Sequence, residues 1–231
     1  MPILTDEQIN KGYFDIIGGF PVDKDRNILV ELNEYNGEER VCIACTQRDG
    51  YSTRDKKRIL NEWIDFLQTN TKGIKALHFN SHVPQALFNA ACAQENLEEL
   101  RFKWGNYKDL SALENLHLLK FLYIGSGSGV LDIEPLQRMQ SLVVLVVENF
   151  KKVEDFSPLA SLENLEQLGI WASILQRIAV KDLEFLRDMP NLRSFSTGAV
   201  TFRKKYSQTE LHELFSSLPN LQNAFVNGKV I

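Results

Sequence analysis

From residue 74 to residue 226 the apolar residues recur in one short pattern: apolar, two variable, apolar, one variable, apolar or Thr. Seven segments carry it: 74–79, 97–102, 119–124, 142–147, 165–170, 192–197 and 221–226. Their start-to-start spacings are 23, 22, 23, 23, 27 and 29 residues. Alternation of this kind predicts a short β-strand, because successive side chains leave a strand on opposite faces. Motif positions one, four and six then point into a core, and positions three, five and seven point away from it. Between the strands runs a second pattern, Asp109-Leu110-x-x-Leu113-x-x-Leu116, repeated from Asp132, Asp155 and Asp182. Apolar residues three apart suit a tight turn or 3₁₀ stretch, where i and i+3 eclipse. The last two spacings leave room for α-helices, such as one over 207–217.

A single turn of this kind cannot bury its own leucines. Stacked turns bury them on one another, which predicts a solenoid with a parallel sheet along one side. The seven phased copies over residues 73–231 resemble the leucine-rich repeat family, nearest its short class of about 22 residues. The resemblance implies an α/β fold: a right-handed leucine-rich-repeat solenoid with its parallel sheet on the concave face. It also implies a role in protein binding, of the kind found in cytosolic bacterial-type members. One departure is visible. The family usually places Asn or Cys nine residues into the motif, and here those positions hold His82, Gly105, Gly127, Phe150, Ser173, Val200 and Lys229.

Residues 1–72 read as an N-terminal cap, which a solenoid needs to cover its first rung. Ile28–Leu32 and Arg40–Cys45 flank Asn36-Gly37, a strong turn dipeptide, so a β-hairpin is expected over 28–46. A helix is expected over 53–68, with Ser52 and Asp55 at its start and Ile59, Leu60, Trp63, Ile64 and Leu67 on its apolar face. A second helix is expected from Pro84 to about Glu95. Within residues 1–27, Thr5 and Gln8 suit the cap of a short helix, and 13–20 suits a strand.

Composition narrows the function classes. The 231 residues carry 26 Lys and Arg against 30 Asp and Glu, a net charge of −4, which argues against a nucleic-acid or anionic-membrane binder. Three cysteines are too few for a disulfide-built scaffold. The first 20 residues lack the apolar stretch of a signal peptide, and the longest strongly apolar run, 142–147, is far shorter than a membrane span. The expectation is a cytoplasmic protein.

Candidate chemistry is sparse. Cys42 and Cys45 have C-x-x-C spacing, but thiols three apart on a strand diverge, and no second pair completes a tetrahedral site. His78 and His82 fall in a strand and the turn after it. Gly125-Ser-Gly-Ser-Gly129 resembles a phosphate cradle, yet lacks the Gly-Lys-Ser/Thr of a P-loop and reads as a strand-to-turn corner. The basic runs at 54–58 and 203–205 read as solvated faces. No catalytic triad, metal site or cofactor is predicted, and the protein is not expected to be an enzyme. A small-ligand or metal-dependent enzyme site between the cap and the first repeats, near His78, His82 and Cys92, or a structural homodimer, is the alternative.

The outward columns are more informative. They place Phe121, Tyr123, Val144, Val146 and Trp171 on three adjacent strands, with Glu148 among them and Arg101, Lys103 and Trp104 beside them. Large apolar groups facing water on a rigid sheet suggest a binding surface, and aromatics and Arg are typical anchors. These nine residues are the expected contact site for a protein or peptide partner, with inhibition of an enzyme or toxin as one outcome. A competing reading is that the cap, a loop or a second copy covers them. Seven strands at ~4.8 Å spacing and four residues of depth give a face of roughly 400 Å². A standard interface takes about 800 Å² per partner, so the adjoining loop edge is needed as well.

Overall fold

A computed structural model describes residues 2–14, 28–173 and 176–231. In chain order its elements are helix α1 (Asp6–Lys11), strands β1 (Ile28–Leu29) and β2 (Arg40–Ile43), and helix α2 (Thr53–Thr69). Next come β3 (Ala76–Val83), helix α3 (Gln85–Ala91), β4 (Glu99–Gly105), β5 (Phe121–Ile124), β6 (Val144–Glu148), β7 (Gln167–Trp171) and β8 (Ile178–Val180). The chain ends with β9 (Ser194–Gly198), β10 (Val200–Phe202), helix α4 (Gln208–Ser216), β11 (Asn223–Val226) and β12 (Lys229–Val230).

The seven motif segments become β3, β4, β5, β6, β7, β9 and β11, which pair in sequence order. Every pairing among them is parallel. Fourth-position residues share one register, Leu77, Leu100, Leu122, Leu145, Leu168, Phe195 and Ala224. All but Ala224 are fully buried. The leucines at steps of three fall in 3₁₀ turns at 111–115, 134–138, 157–161 and 184–188. Each turn is started by the predicted Asp. The carboxylates of Asp109, Asp132, Asp155 and Asp182 accept the backbone N–H two residues on, at 2.8–3.0 Å. This is the local bond that favours Asp at a turn entrance over a helix interior.

A polar ladder is present, at the opposite end of the strands from the family's usual place. Asn96, Asn164, Asn191 and Asn220, each just before the first motif leucine, donate through Nδ2 to a carbonyl of the preceding rung at 2.8–2.9 Å. The hydroxyl of Ser141 does the same to Leu119 at 2.7 Å. These bonds satisfy carbonyls that a stacked turn would otherwise leave unpaired.

Three expectations need correction. The 28–46 segment is not a hairpin, because β1 and β2 pair in parallel. Asn36-Gly37 does turn, with Gly37 at φ +91°. However, the chain first bends through a 3₁₀ turn at 32–34, and Tyr35 packs edge-on against Trp63 and Phe66 of α2. That packing turns the chain so that β2 runs in the same direction as β1. β2 then pairs with β3, Val41 beside Leu77 and Ile43 beside Phe79, so the sheet runs unbroken out of the N-terminal third. The helix from Pro84 ends at Ala91, short of Glu95. The described residues of the 27-residue turn hold no α-helix. That turn contributes β8, which pairs in parallel with β10 as a second small sheet. Helices α2 and α4 form where expected, α2 with Trp63 buried and its Nε1 donating to the Val30 carbonyl at 2.8 Å. Among the described residues no helix is long and apolar enough to cross a membrane.

Candidate functional site

The face of the sheet that points away from the leucine core carries the predicted columns in register. Third positions run Ala76, Glu99, Phe121, Val144, Gln167, Ser194 and Asn223; fifth positions run His78, Arg101, Tyr123, Val146, Gly169, Ser196 and Phe225. The structure therefore brings the expected site residues together. It does not leave them open to water. Val144 and Val146 are fully buried, Arg101 is 4% exposed, and Phe121, Tyr123, Glu148, Trp171, Lys103 and Trp104 are half-buried or more.

The cover is the chain's own start. Residues 2–14 lie on this face, and Leu4, Ile9 and Phe14 pack with Val143, Val144 and Val146 into an apolar cluster separate from the leucine core. The ring of Tyr13 stacks on Phe121, 4.0 Å between centroids and 6° from parallel. Phe14 meets Tyr123 edge-on at 5.7 Å, and the Arg101 guanidinium lies over both rings, 5.6 and 5.0 Å away. The helix expected from Thr5 and Gln8 forms as α1, and both bonds of the capping box are made. The expected strand at 13–20 falls largely outside the described residues.

Polar side chains of the sheet hold this segment by its backbone. Glu166 accepts the N–H groups of Ile3 and Leu4, at 2.5 and 3.2 Å. Arg193, beside it on the next rung, donates to the Leu4 carbonyl at 2.7 Å and pairs with Asp6 at 2.7 Å. Glu166 and Arg193 bond each other at 3.0 Å, with side chains only 7% and 8% exposed. A buried ion pair is favourable when its remaining donors and acceptors are filled, and here the segment fills them. Further along, Gln167 accepts the Tyr13 N–H at 2.8 Å and Asn223 donates to the Asn10 side chain at 3.0 Å. The sequence reading missed Glu166 and Arg193. They belong to the second motif column, whose charges at Lys75, Glu98 and Lys120 form half-exposed pairs. Charge alternation along that column therefore gives no sign of which pair is covered.

Two carboxylates on this face titrate oppositely. Burial would raise Glu99, but hydrogen bonds and charge from His78 and then Arg40 outweigh it and hold its pKa at about 2. Arg40 lies 2.8 Å away and the Tyr13 hydroxyl donates at 3.3 Å. Glu148 is raised, because burial outweighs the Tyr123 hydroxyl donating at 2.8 Å and the charge of Arg101. A carboxylate depressed from 4.5 to about 2 stabilises the fold fully above pH 4.5, and that contribution is lost as pH falls toward 2. In wild type the urea midpoint is expected to fall more steeply across that window than in Glu99→Gln. Parallel curves would show that Glu99 is not held as a carboxylate.

Part of the face stays open beside α1. A groove of about 410 Å³ runs between α1 and strands β7, β9 and β11, lined by Ile9, Trp171, Phe225, Gln167, Ser194 and Ser196. The Trp171 ring lies flat over Gly198, where a Cβ would come within 2.2 Å of it, so that glycine makes room for the indole. At the other end of the segment, Pro2, Ile3, Asn164, Glu166, Asn191 and Arg193 line a polar cavity of about 350 Å³.

The other candidate residues show packing roles. Gly125 and Gly127 are required by close neighbours, since a Cβ on Gly127 would come within 2.3 Å of the buried Phe150 ring. Cys45 and Cys92 are buried, and burial pushes both thiols up, Cys45 to about 12. Among the described residues no group of three His, Cys, Asp or Glu could hold a metal ion. Trp104 donates to Gln47 at 3.1 Å, and the Lys103 ammonium sits 4.7 Å from its ring centre.

No family model and no curated protein matches the chain. Solved structures do. Internalin C2 from Listeria monocytogenes is similar over 67% of this chain and 62% of its own, with 22% identity and a TM-score of 0.50. The plant peptide hormone receptor RGFR1, solved in complex with RGF2, is similar over 71% of this chain and 26% of its own, with 12% identity and a TM-score of 0.51. The chain thus spans about six-tenths of the internalin structure and about a quarter of the receptor. Seven phased rungs on one parallel sheet, together with these likenesses, make the chain a leucine-rich-repeat solenoid.

Proposed function

We propose that this protein is an interaction module that binds a peptide or protein segment on the outer face of its sheet, using the adjoining loop edge. The observation that carries the reading is residues 2–14, a segment of the chain seated on that face through backbone hydrogen bonds and aromatic stacking. The surface is therefore chemically suited to holding a peptide. A receptor of the same fold is a complex with RGF2, which supports the class of partner at the level of fold. Arg101, Lys103, Trp104, Phe121, Tyr123, Val144, Val146, Glu148 and Trp171 form the proposed contact region. Trp171 is its central anchor, because it borders both the seated segment and the open groove. Blocking an enzyme or toxin is one form such binding takes.

The test is selection of displayed random twelve-residue peptides on the immobilised 231-residue chain. Selected peptides are expected to lose about 1–3 kcal/mol of affinity in Trp171→Ala and in Tyr123→Ala. Circular dichroism confirms that both variants stay folded. Peptides indifferent to both substitutions, or no selected peptides, would count against the site.

A further inference from the structure

The way residues 2–14 are held contains more than cover. Their apolar side chains sit on the far side of the sheet from the leucine core, in a cluster of their own. The core is complete without them. The segment makes no strand ladder with the sheet. Side chains from three neighbouring strand starts grip its backbone instead, and the chief grip is the nearly buried Glu166–Arg193 pair. A carboxylate that takes two successive N–H groups beside a guanidinium that takes the next carbonyl captures peptide backbone regardless of side chains. Specificity then comes from what lies at fixed distances along the segment. Asp6 pairs with Arg193, Ile9 enters the valine patch, Tyr13 stacks on Phe121 and Phe14 meets Tyr123.

We propose that the partner of this face is a peptide segment with the same chemistry, and that residues 2–14 are its resident competitor. The recognised pattern is an apolar residue gripped at its backbone, a carboxylate two residues later, an aliphatic residue five later and an aromatic pair nine and ten later. This rests on the reading above that the face binds peptides. An occupant on the same chain competes intramolecularly, so a free peptide must outcompete it. When the segment lifts, the Glu166–Arg193 pair returns to water and is not stranded in the interior.

The experiment keeps the full chain. Leu4→Asp/Phe14→Ala releases the segment by burying a carboxylate in the valine patch and removing a ring from it. The probe is a fluorescein-labelled synthetic peptide of residues 2–14, followed by anisotropy, with cooperative thermal melting as the check of folding. The released variant is expected to bind the probe at least tenfold more tightly than wild type. Adding Arg193→Met, or replacing the probe's aromatic pair by Ala, is expected to remove at least tenfold of that affinity. A folded released variant that binds no better than wild type overturns the proposal. Loss of cooperative melting also overturns it, because residues 2–14 would then be part of the fold. If peptides selected by display bind wild type through Trp171 while the released variant ignores the probe, the recognition pattern alone falls. If neither kind of peptide binds, the broader reading falls with it.

Discussion

Leu145→Ala is expected to lower the unfolding free energy by about 2–5 kcal/mol, the range for truncating a fully buried leucine. Leu145 has no exposed surface and lies in register between Leu122 and Leu168. Each rung of a solenoid is supported mainly by its two neighbours, so the cavity opens in a wall that both neighbours share. Collapse to fill it is restrained from the other side. Val144 and Val146 flank Leu145 and are pinned on the outer face by Leu4, Ile9 and Phe14. Urea unfolding followed by far-ultraviolet circular dichroism reads the loss. A change below about 1 kcal/mol would mean that the sheet relaxes into the gap, well under the range for such sites.

Gly125→Ala is expected to cost about 3 kcal/mol, at the upper end for forcing atoms into a packed site. The added Cβ would lie 2.1 Å from the Lys103 carbonyl oxygen and 2.5 Å from that of Phe102. Both are backbone atoms of the neighbouring strand, so no side-chain rotation relieves the contact. Displacing Gly125 would also disturb its N–H bond to Phe102, 2.8 Å, and the bond its carbonyl accepts from the buried Tyr107 hydroxyl. The Gly-rich stretch that resembles a phosphate cradle is in this account a spacing device between rungs. A thermal midpoint equal to wild type would sink that account.

The extent to which the fold was legible differs between elements for identifiable reasons. The seven strands and four Asp-started turns were readable because each is fixed by contacts 22 to 29 residues away, and repetition makes the period visible above chance. The direction of β2 was not readable. Asn36-Gly37 favours a turn in either topology, and the choice was made by Tyr35 packing on Trp63 and Phe66 some thirty residues away. The Asn ladder was present in the sequence at the residue before four of the seven motif starts, with Ser141 before a fifth. It went unread because it lies at the other end of the strands from the expected one.

The same division holds for the site. Strand alternation alone determined that Phe121, Tyr123, Val144, Val146 and Trp171 share one face, since a pleated strand leaves no other place for every second side chain. The period of the leucines likewise determined the stacked rungs and the parallel sheet. Whether that face met water was decided only in three dimensions. The contact between Leu4 and Arg193 spans 189 residues, and nothing in local pattern encodes a bond of that reach. Tertiary structure also turned Glu166 and Arg193, outwardly one more alternating charge pair, into a nearly buried clamp, because burial belongs to the assembled neighbourhood and not to the residue.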